Sequence, residues 1–203
     1  RVAVHAKKKL DPRFIVFEVT MHNLWARWKC LTRVVQVSDL ASLKILELLD
    51  TLISNDQKEI MLYNANKKTK FAISLQDFRA FVASDDTMYR MQIVYAYAML
   101  ESFSFSVISS RFPSIQCNGG FEAWGSALIQ QLGIDTSKFY SGPEKIIEGA
   151  IIRNLIAHGA ETFRPSDINR YSQFVGKPPP WKAGDPVRID YEAARIICVA
   201  FKE

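Results

Sequence analysis

The chain has 203 residues, of which 48% are hydrophobic and 23% charged, and its formal net charge is +5. These values are typical of a globular protein with a sizeable core, and the mild basic excess permits a polyanionic partner without requiring one. Cys30, Cys117 and Cys198 are far apart and odd in number, so they predict neither a disulfide framework nor a cysteine metal pair and favour a reducing, cytoplasmic compartment. No apolar run approaches the roughly 18 residues of a membrane span, so no membrane association is expected.

The N-terminal part of the chain, residues 1–84, is predicted to be a helical extension. Apolar side chains recur at threes and fours through residues 13–37, which predicts a helix, although a strand stays open for residues 14–19 because they are rich in β-branched side chains. A second helix is predicted to begin near residue 38, with Ser38 and Asp39 as candidate caps.

A small β insert follows these two helices. Two short β-prone runs flank the polar stretch "NANKKTK", residues 64–70, and predict a hairpin or an irregular loop. Residues 74–84 then predict a short helix that Ser74 and Asp77 cap.

Residues 85–203 are predicted to form the main helical domain. A long helix is expected over residues 86–111, because its apolar residues cover one broad side and Pro113 stops it. A turn at residues 118–120 and a helix that Gly133 ends come next.

The next predicted helix has strong signals at both ends. Ser141 is its candidate cap, Pro143 and Glu144 lie in its first turn, and Gly159 stops it. A proline-rich loop and a last helix with Asp190 as candidate cap complete the chain. The fold class predicted from this order is an all-α bundle of six or seven antiparallel helices with at most one small β-hairpin.

Three polar residues lie near the end of this otherwise apolar helix, within "IIRNLIAHG". Asn154 and His158 are four positions apart and share a face, and the long side chain of Arg153 can bend toward the same end. Imidazole transfers protons near neutral pH, and the guanidinium fork suits a phosphate, so the set is suited to cleaving RNA by attack of its own 2′-hydroxyl. A structural interpretation stays open, because a histidine at a helix C-terminus is a common cap and an arginine there often pairs with a carboxylate.

The segment "IIRNLIAHG" resembles the RX4–6H signature of HEPN domains. A preceding long helix with an acidic residue in its middle, here Glu101, and a following "GDPVRI" loop with a terminal helix resemble the surroundings of that motif over residues 85–203. The resemblance implies a HEPN-type bundle that dimerises with itself or with a HEPN partner, and a metal-independent endoribonuclease of toxin–antitoxin, abortive-infection or other antiviral systems. It assigns catalysis to Arg153 and His158, a supporting role to Asn154 and a weaker one to Glu101.

The expected partner is therefore RNA, and no metal or cofactor is predicted, because histidines and cysteines are few and scattered. The chain has no phosphate-binding GxxxxGK[ST] loop, so an NTP-driven step would need an ATPase partner, and an antitoxin or a sensor would be the other partners of such an effector. Lys177, Lys182, Arg164, Arg170 and Arg188 flank the motif and are candidates for an RNA groove or a solvated rim. Two further hypotheses remain: a catalytically silent module for dimerisation or partner binding, and a basic nucleic-acid-binding domain in which Arg153 and His158 are structural.

Overall fold

The computed structural model describes residues 12–53, 61–63, 72–84 and 86–203, and these residues form seven α-helices and one two-stranded sheet. In chain order the elements are α1 (Pro12–Ile53), β1 (Met61–Tyr63), β2 (Ala72–Ser74), α2 (Leu75–Ser84), α3 (Thr87–Arg111), α4 (Phe121–Leu132), α5 (Pro143–Ala157), α6 (Pro165–Val175) and α7 (Tyr191–Lys202), with a 3₁₀ turn at Thr136–Lys138. The all-α class is confirmed. The predicted hairpin is present, since β1 and β2 pair antiparallel with Leu62 opposite Ile73, whereas its tip at residues 64–70 lies outside the described residues.

Helix α3 is the centre of the bundle and packs against α1, α5 and α7, while α5 also packs against α6 and α7. The core consists of apolar residues from these helices and from α4, among them Trp28, Ile93, Trp124, Ile151 and Ile197. Because Trp28 of α1 belongs to the same core as the rest, the N-terminal helix covers the bundle directly. The predicted division of the chain at residue 84 stays a prediction.

The prediction of two N-terminal helices is wrong, because α1 runs unbroken through Ser38 and Asp39. Its apolar contacts continue in phase on both sides of this pair, from Trp28 and Val35 to Leu49, and such tertiary packing outweighs a local capping preference. Asp39 instead accepts a hydrogen bond of 2.6 Å from the Tyr89 hydroxyl of α3. That bond ties the middle of α1 to the bundle.

Three other helix ends follow the predicted signals, one does not, and one helix was not expected from the sequence. The Ser74 hydroxyl accepts from the Asp77 backbone N–H at 3.0 Å, Gly133 ends α4, and Asp190 caps α7. Ser141 does not cap α5, because Pro143 occupies the first turn and Gly142 becomes the N-cap residue. Helix α6 was not predicted at all.

The long helix α3 has the length and composition of a membrane-crossing helix, with a mean hydropathy of 1.2 in its most apolar window. Of that window 44% is buried inside the bundle, and the core helix of a globular domain meets the same criteria. The expectation that the chain does not associate with a membrane stays a prediction.

Candidate active site

The end of helix α5 is fixed by a complete Schellman motif. The Gly159 N–H donates to the Ile156 carbonyl at 3.1 Å, and the Ala160 N–H donates to the Leu155 carbonyl at 2.9 Å. Gly159 has φ +64°, a left-handed conformation that glycine adopts without steric cost. The motif makes His158 the C-cap residue, so its imidazole leaves the helix at a defined point and is exposed.

The strand-like segment after the motif holds this helix end against the bundle. Residues 184–187 run beside residues 161–163: the Val187 N–H donates to the Glu161 carbonyl at 2.8 Å, and the Phe163 N–H donates to the Asp185 carbonyl at 3.0 Å. Phe163 also stacks on Trp181 with ring centroids 4.0 Å apart. The "GDPVRI" loop therefore has a structural role, because its backbone hydrogen bonds hold the segment that follows the motif in place.

Arg153 faces α3, and its guanidinium has three partners among the described residues. Two of them lie on α3, and the third is the neighbouring Asn154 of α5. It lies over the Tyr97 ring, 4.9 Å from the ring centroid, its Nη2 is 3.8 Å from Glu101 Oε2, and its Nη1 donates to Asn154 Oδ1 at 2.9 Å. The Arg153 and Glu101 side chains are each 30% exposed, so this ion pair is partly screened by water. Three of the four predicted site residues are thus brought together.

Tyr97 is the site residue whose role the sequence did not indicate. Burial raises the pKa of its phenol to about 12; the Glu101 carboxylate adds to this, and Arg153 opposes it. The ring is 3% exposed and also meets Phe201 edge-on, so it is a rigid, neutral platform for the guanidinium. Tyr97 and Glu101 are four positions apart on α3, and this spacing places both side chains on the face that meets Arg153.

His158 does not join this cluster through its side chain. Its ring makes no hydrogen bond or ion pair with a described residue, and its backbone N–H donates to the Asn154 carbonyl at 3.1 Å. Asn154 is therefore the link, because its side chain contacts Arg153 and its carbonyl lies one helical turn before the imidazole. The arrangement offers a positioned cation and an accessible proton-transfer group at the end of one helix.

Arg153 retains hydrogen-bonding capacity for a ligand. A guanidinium has five N–H donors, and among the described residues Asn154 accepts from one of them, whereas Glu101 at 3.8 Å lies beyond hydrogen-bond distance. The Nε donor is buried and has no hydrogen-bond partner among the described residues, while the side chain as a whole is 30% exposed. An unpaired buried donor is costly and needs an explanation, and a functional role is one such explanation. Two cavities in the described part of the chain, one of about 370 Å³ and one of about 280 Å³, are lined by neither Arg153 nor His158.

The basic residues near the motif divide into two groups. Arg164 pairs with Asp167, Arg170 pairs with Glu122 through both carboxylate oxygens, and Lys177 pairs with Glu144, whereas Lys182 and Arg188 are exposed and have no ion pair with a described residue. Burial alone would raise the pKa of Glu122, but the Arg170 hydrogen bonds, a backbone hydrogen bond and the Arg170 charge together hold this pKa below its usual value. The paired residues stabilise the fold, so Lys182 and Arg188 are the better candidates for contact with a polyanion.

Within the described ranges, no three side chains of His, Cys, Asp or Glu are grouped so that they could hold a metal ion. A scan of protein-family models, a search of curated proteins and a search of solved structures each found no match to the chain.

Proposed function

We propose that the chain is a metal-independent endoribonuclease of the HEPN type. The observation that carries the proposal is the arrangement at the end of α5. Arg153 is held over Tyr97 beside Glu101 with an unsatisfied Nε, and the exposed His158 lies one turn beyond Asn154. The resemblance of "IIRNLIAHG" to the RX4–6H signature supports the same conclusion.

In the proposed reaction His158 accepts the proton of a ribose 2′-hydroxyl while that oxygen attacks the adjacent phosphorus. The new P–O2′ bond replaces the P–O5′ bond, and the leaving 5′-oxygen takes up a proton. Arg153 stabilises the charge that develops on the phosphoryl oxygens, and Asn154 keeps the guanidinium in position. Glu101 acts through Arg153 as a positioning residue. The products are a 2′,3′-cyclic phosphate and a 5′-hydroxyl.

A second proton-transfer group is needed for the leaving oxygen, and one chain supplies one imidazole at this site. We therefore include in the proposal that two motifs act together, from two copies of this chain or from this chain and a HEPN partner. An effector of this kind in bacterial defence or as a toxin would be restrained by an antitoxin, a sensor or an ATPase, in the cytoplasm.

One observation favours a second candidate function, a catalytically silent helical module. Arg153 has a carboxylate, an amide and an aromatic ring as partners, which is also how a structural arginine at a helix–helix contact is satisfied. In this case the His158 imidazole is only an exposed C-cap residue, and the protein binds a partner without cleaving RNA.

Cleavage of a labelled single-stranded RNA, measured with and without EDTA, separates the two functions. We expect cleavage that EDTA does not abolish and that His158→Ala lowers by about 10²–10⁴-fold. His22→Ala is the matched control, because His22 is also an exposed helix histidine but lies on α1. No cleavage by the wild-type chain would support the silent module. Equal cleavage by the His158→Ala and His22→Ala proteins, or cleavage that requires added magnesium, would contradict the proposed reaction.

A further inference from the structure

A cavity of about 370 Å³ lies between α1, α3 and α4, beside the end of α7. Helix α4 lines it with one apolar face, on which Phe121, Trp124 and Leu128 recur at spacings of three and four. Trp25 and Trp28 line it from α1. Helix α4 packs against α3 and α5 and makes no comparable contact with the described residues of α1. The apolar faces of α1 and α4 therefore meet across a space that neither helix fills.

The wall of this cavity is buried in one part and exposed in another. Trp28 and Trp124 are each less than one-tenth exposed, whereas Trp25 and Leu132 are 47% and 44% exposed. The cavity therefore has a closed inner part and a mouth that is open to solvent. Ser104 of α3 also lines it; this residue is 4% exposed, and its hydroxyl makes no hydrogen bond with a described residue. The inner part is thus mainly apolar and offers one unpaired hydroxyl group.

The volume of the cavity is that of a ligand site and not of a packing defect. Protein interiors contain few voids larger than a water molecule, because the atoms around a void lose their contacts. An apolar cavity of about 150 Å³ holds one benzene molecule, so a cavity of about 370 Å³ has room, in proportion, for about 15 non-hydrogen atoms. An apolar molecule of this size would restore the missing contacts of the wall.

Two charged residues at the end of α7 line the cavity and indicate the head group of the ligand. The Lys202 ammonium lies over the Trp25 ring, 4.5 Å from its centroid, and forms no ion pair with a described residue. Glu203 is engaged elsewhere, because its two carboxylate oxygens accept from the backbone N–H groups of Tyr140 and Ser141 at 2.9 and 3.2 Å. Lys202 therefore retains its N–H donors for an anionic group at the exposed edge of the cavity.

We propose that this cavity binds a straight-chain fatty acid of about twelve carbon atoms, with its alkyl chain between α1 and α4 and its carboxylate at Lys202. Burial of the chain supplies most of the affinity. The carboxylate stays at the mouth in contact with water, so no charge is buried. The cavity is lined by neither Arg153 nor His158. The inference therefore goes beyond the proposed ribonuclease function and does not rest on it.

Isothermal titration calorimetry of the full chain with laurate, below the concentration at which laurate forms micelles, tests the alkyl site. We expect one laurate to bind per chain. Each buried CH₂ group changes the dissociation constant about fourfold, so octanoate, which is four CH₂ groups shorter, should bind roughly 200-fold more weakly. No binding of laurate, several laurate molecules per chain, or equal affinities for laurate and octanoate would overturn the proposal.

Lys202→Gln tests the head group, with Lys44→Gln as the matched control, because Lys44 is an exposed lysine on α1 that does not line the cavity. We expect Lys202→Gln to weaken laurate binding about 2–5-fold, the contribution of an exposed ion pair. Binding of dodecanol, which has no charge, should be unchanged, and Lys44→Gln should alter neither ligand. An equal loss for laurate and dodecanol, or no loss for laurate, would overturn the assignment of the carboxylate to Lys202.

Ser104→Leu tests the location by filling part of the cavity, with Ser106→Leu as the matched control. Both serines belong to α3, but Ser106 is exposed and does not line the cavity. We expect Ser104→Leu to weaken laurate binding at least about tenfold, because the leucine takes the room of two or more CH₂ groups, and Ser106→Leu to leave it unchanged. Equal laurate binding by the two variants would overturn the proposal. The chain-length and Lys202 experiments do not depend on how well Ser104→Leu folds.

Discussion

Replacing Arg153 with alanine distinguishes a catalytic arginine from a structural one, because the two roles predict different losses of stability and of cleavage rate. The partly exposed ion pair with Glu101 contributes at most about 1 kcal/mol to the free energy of unfolding. The contact with the Tyr97 ring contributes about 0.5–2 kcal/mol and the hydrogen bond to Asn154 about 1 kcal/mol. These interactions share one group and are not additive, so we expect a total loss of about 2 kcal/mol.

The expected loss of cleavage is larger. Removing one charge-stabilising donor from an active site lowers the rate by about 10²–10³-fold, which corresponds to about 2.7–4 kcal/mol of transition-state stabilisation. A domain of ordinary stability, about 5–15 kcal/mol, stays folded after the substitution, so the lower rate is not a consequence of unfolding.

Two measurements on the same protein preparations decide the matter: urea unfolding followed by circular dichroism, and single-turnover cleavage of a labelled RNA. Arg33→Ala is the control, because Arg33 is exposed, lies on α1 and has no ion pair with a described residue. If Arg153→Ala loses about 2 kcal/mol of stability but less than tenfold in cleavage, Arg153 is structural and the proposed mechanism is refuted.

Three further predictions concern the fold around the site. The folded pKa of Tyr97 is about 12, above its ordinary value of 10.0, so the associated stability is present below pH 10 and lost as the pH rises toward 12. Over that range the free energy of unfolding from urea titrations should fall less steeply in Tyr97→Phe than in the wild type, by about 1.4 kcal/mol per pH unit. In Gly149→Ala the new Cβ would lie 2.5 Å from Ile197 Cγ2 and 2.5 Å from Phe201 Cζ, both in the core. We expect the free energy of unfolding in urea to fall by about 1–2 kcal/mol, despite the better helix propensity of alanine. A stabilised variant would contradict this close packing. Asp190→Ala removes the cap of α7 and should cost about 1 kcal/mol in the same assay, whereas Asp190→Asn should be nearly neutral.

The helix ends were predictable where a local signal had no competitor. Gly159 is the plainest example, because a glycine after an apolar helix indicates a left-handed C-terminal residue, and the Schellman motif follows from it. The start of α6 carries a comparable signal in the sequence, since Pro165 is its first residue and Asp167 follows two residues later. In the structure the Asp167 carboxylate accepts from the Arg164 backbone N–H at 2.8 Å.

What the sequence could not provide was information on contacts between helices. Ser38 and Asp39 have the chemistry of a cap, but they lie within a helix because the apolar contacts on both sides of them stay in phase. The motif residues Arg153 and His158 were identified from their chemistry and spacing. That Arg153 would lie over Tyr97 depends on how α5 crosses α3, and residue spacing within one helix contains no such information.

The chemistry of the product ends tests the central claim most directly. The account predicts that RNA incubated with the wild-type chain in EDTA yields fragments with a 2′,3′-cyclic phosphate and a 5′-hydroxyl, and that a single 2′-deoxyribose at the scissile position prevents the cut, because the 2′-oxygen is the nucleophile. Fragments with a 5′-phosphate, or cleavage at the 2′-deoxy position at an undiminished rate, would contradict it.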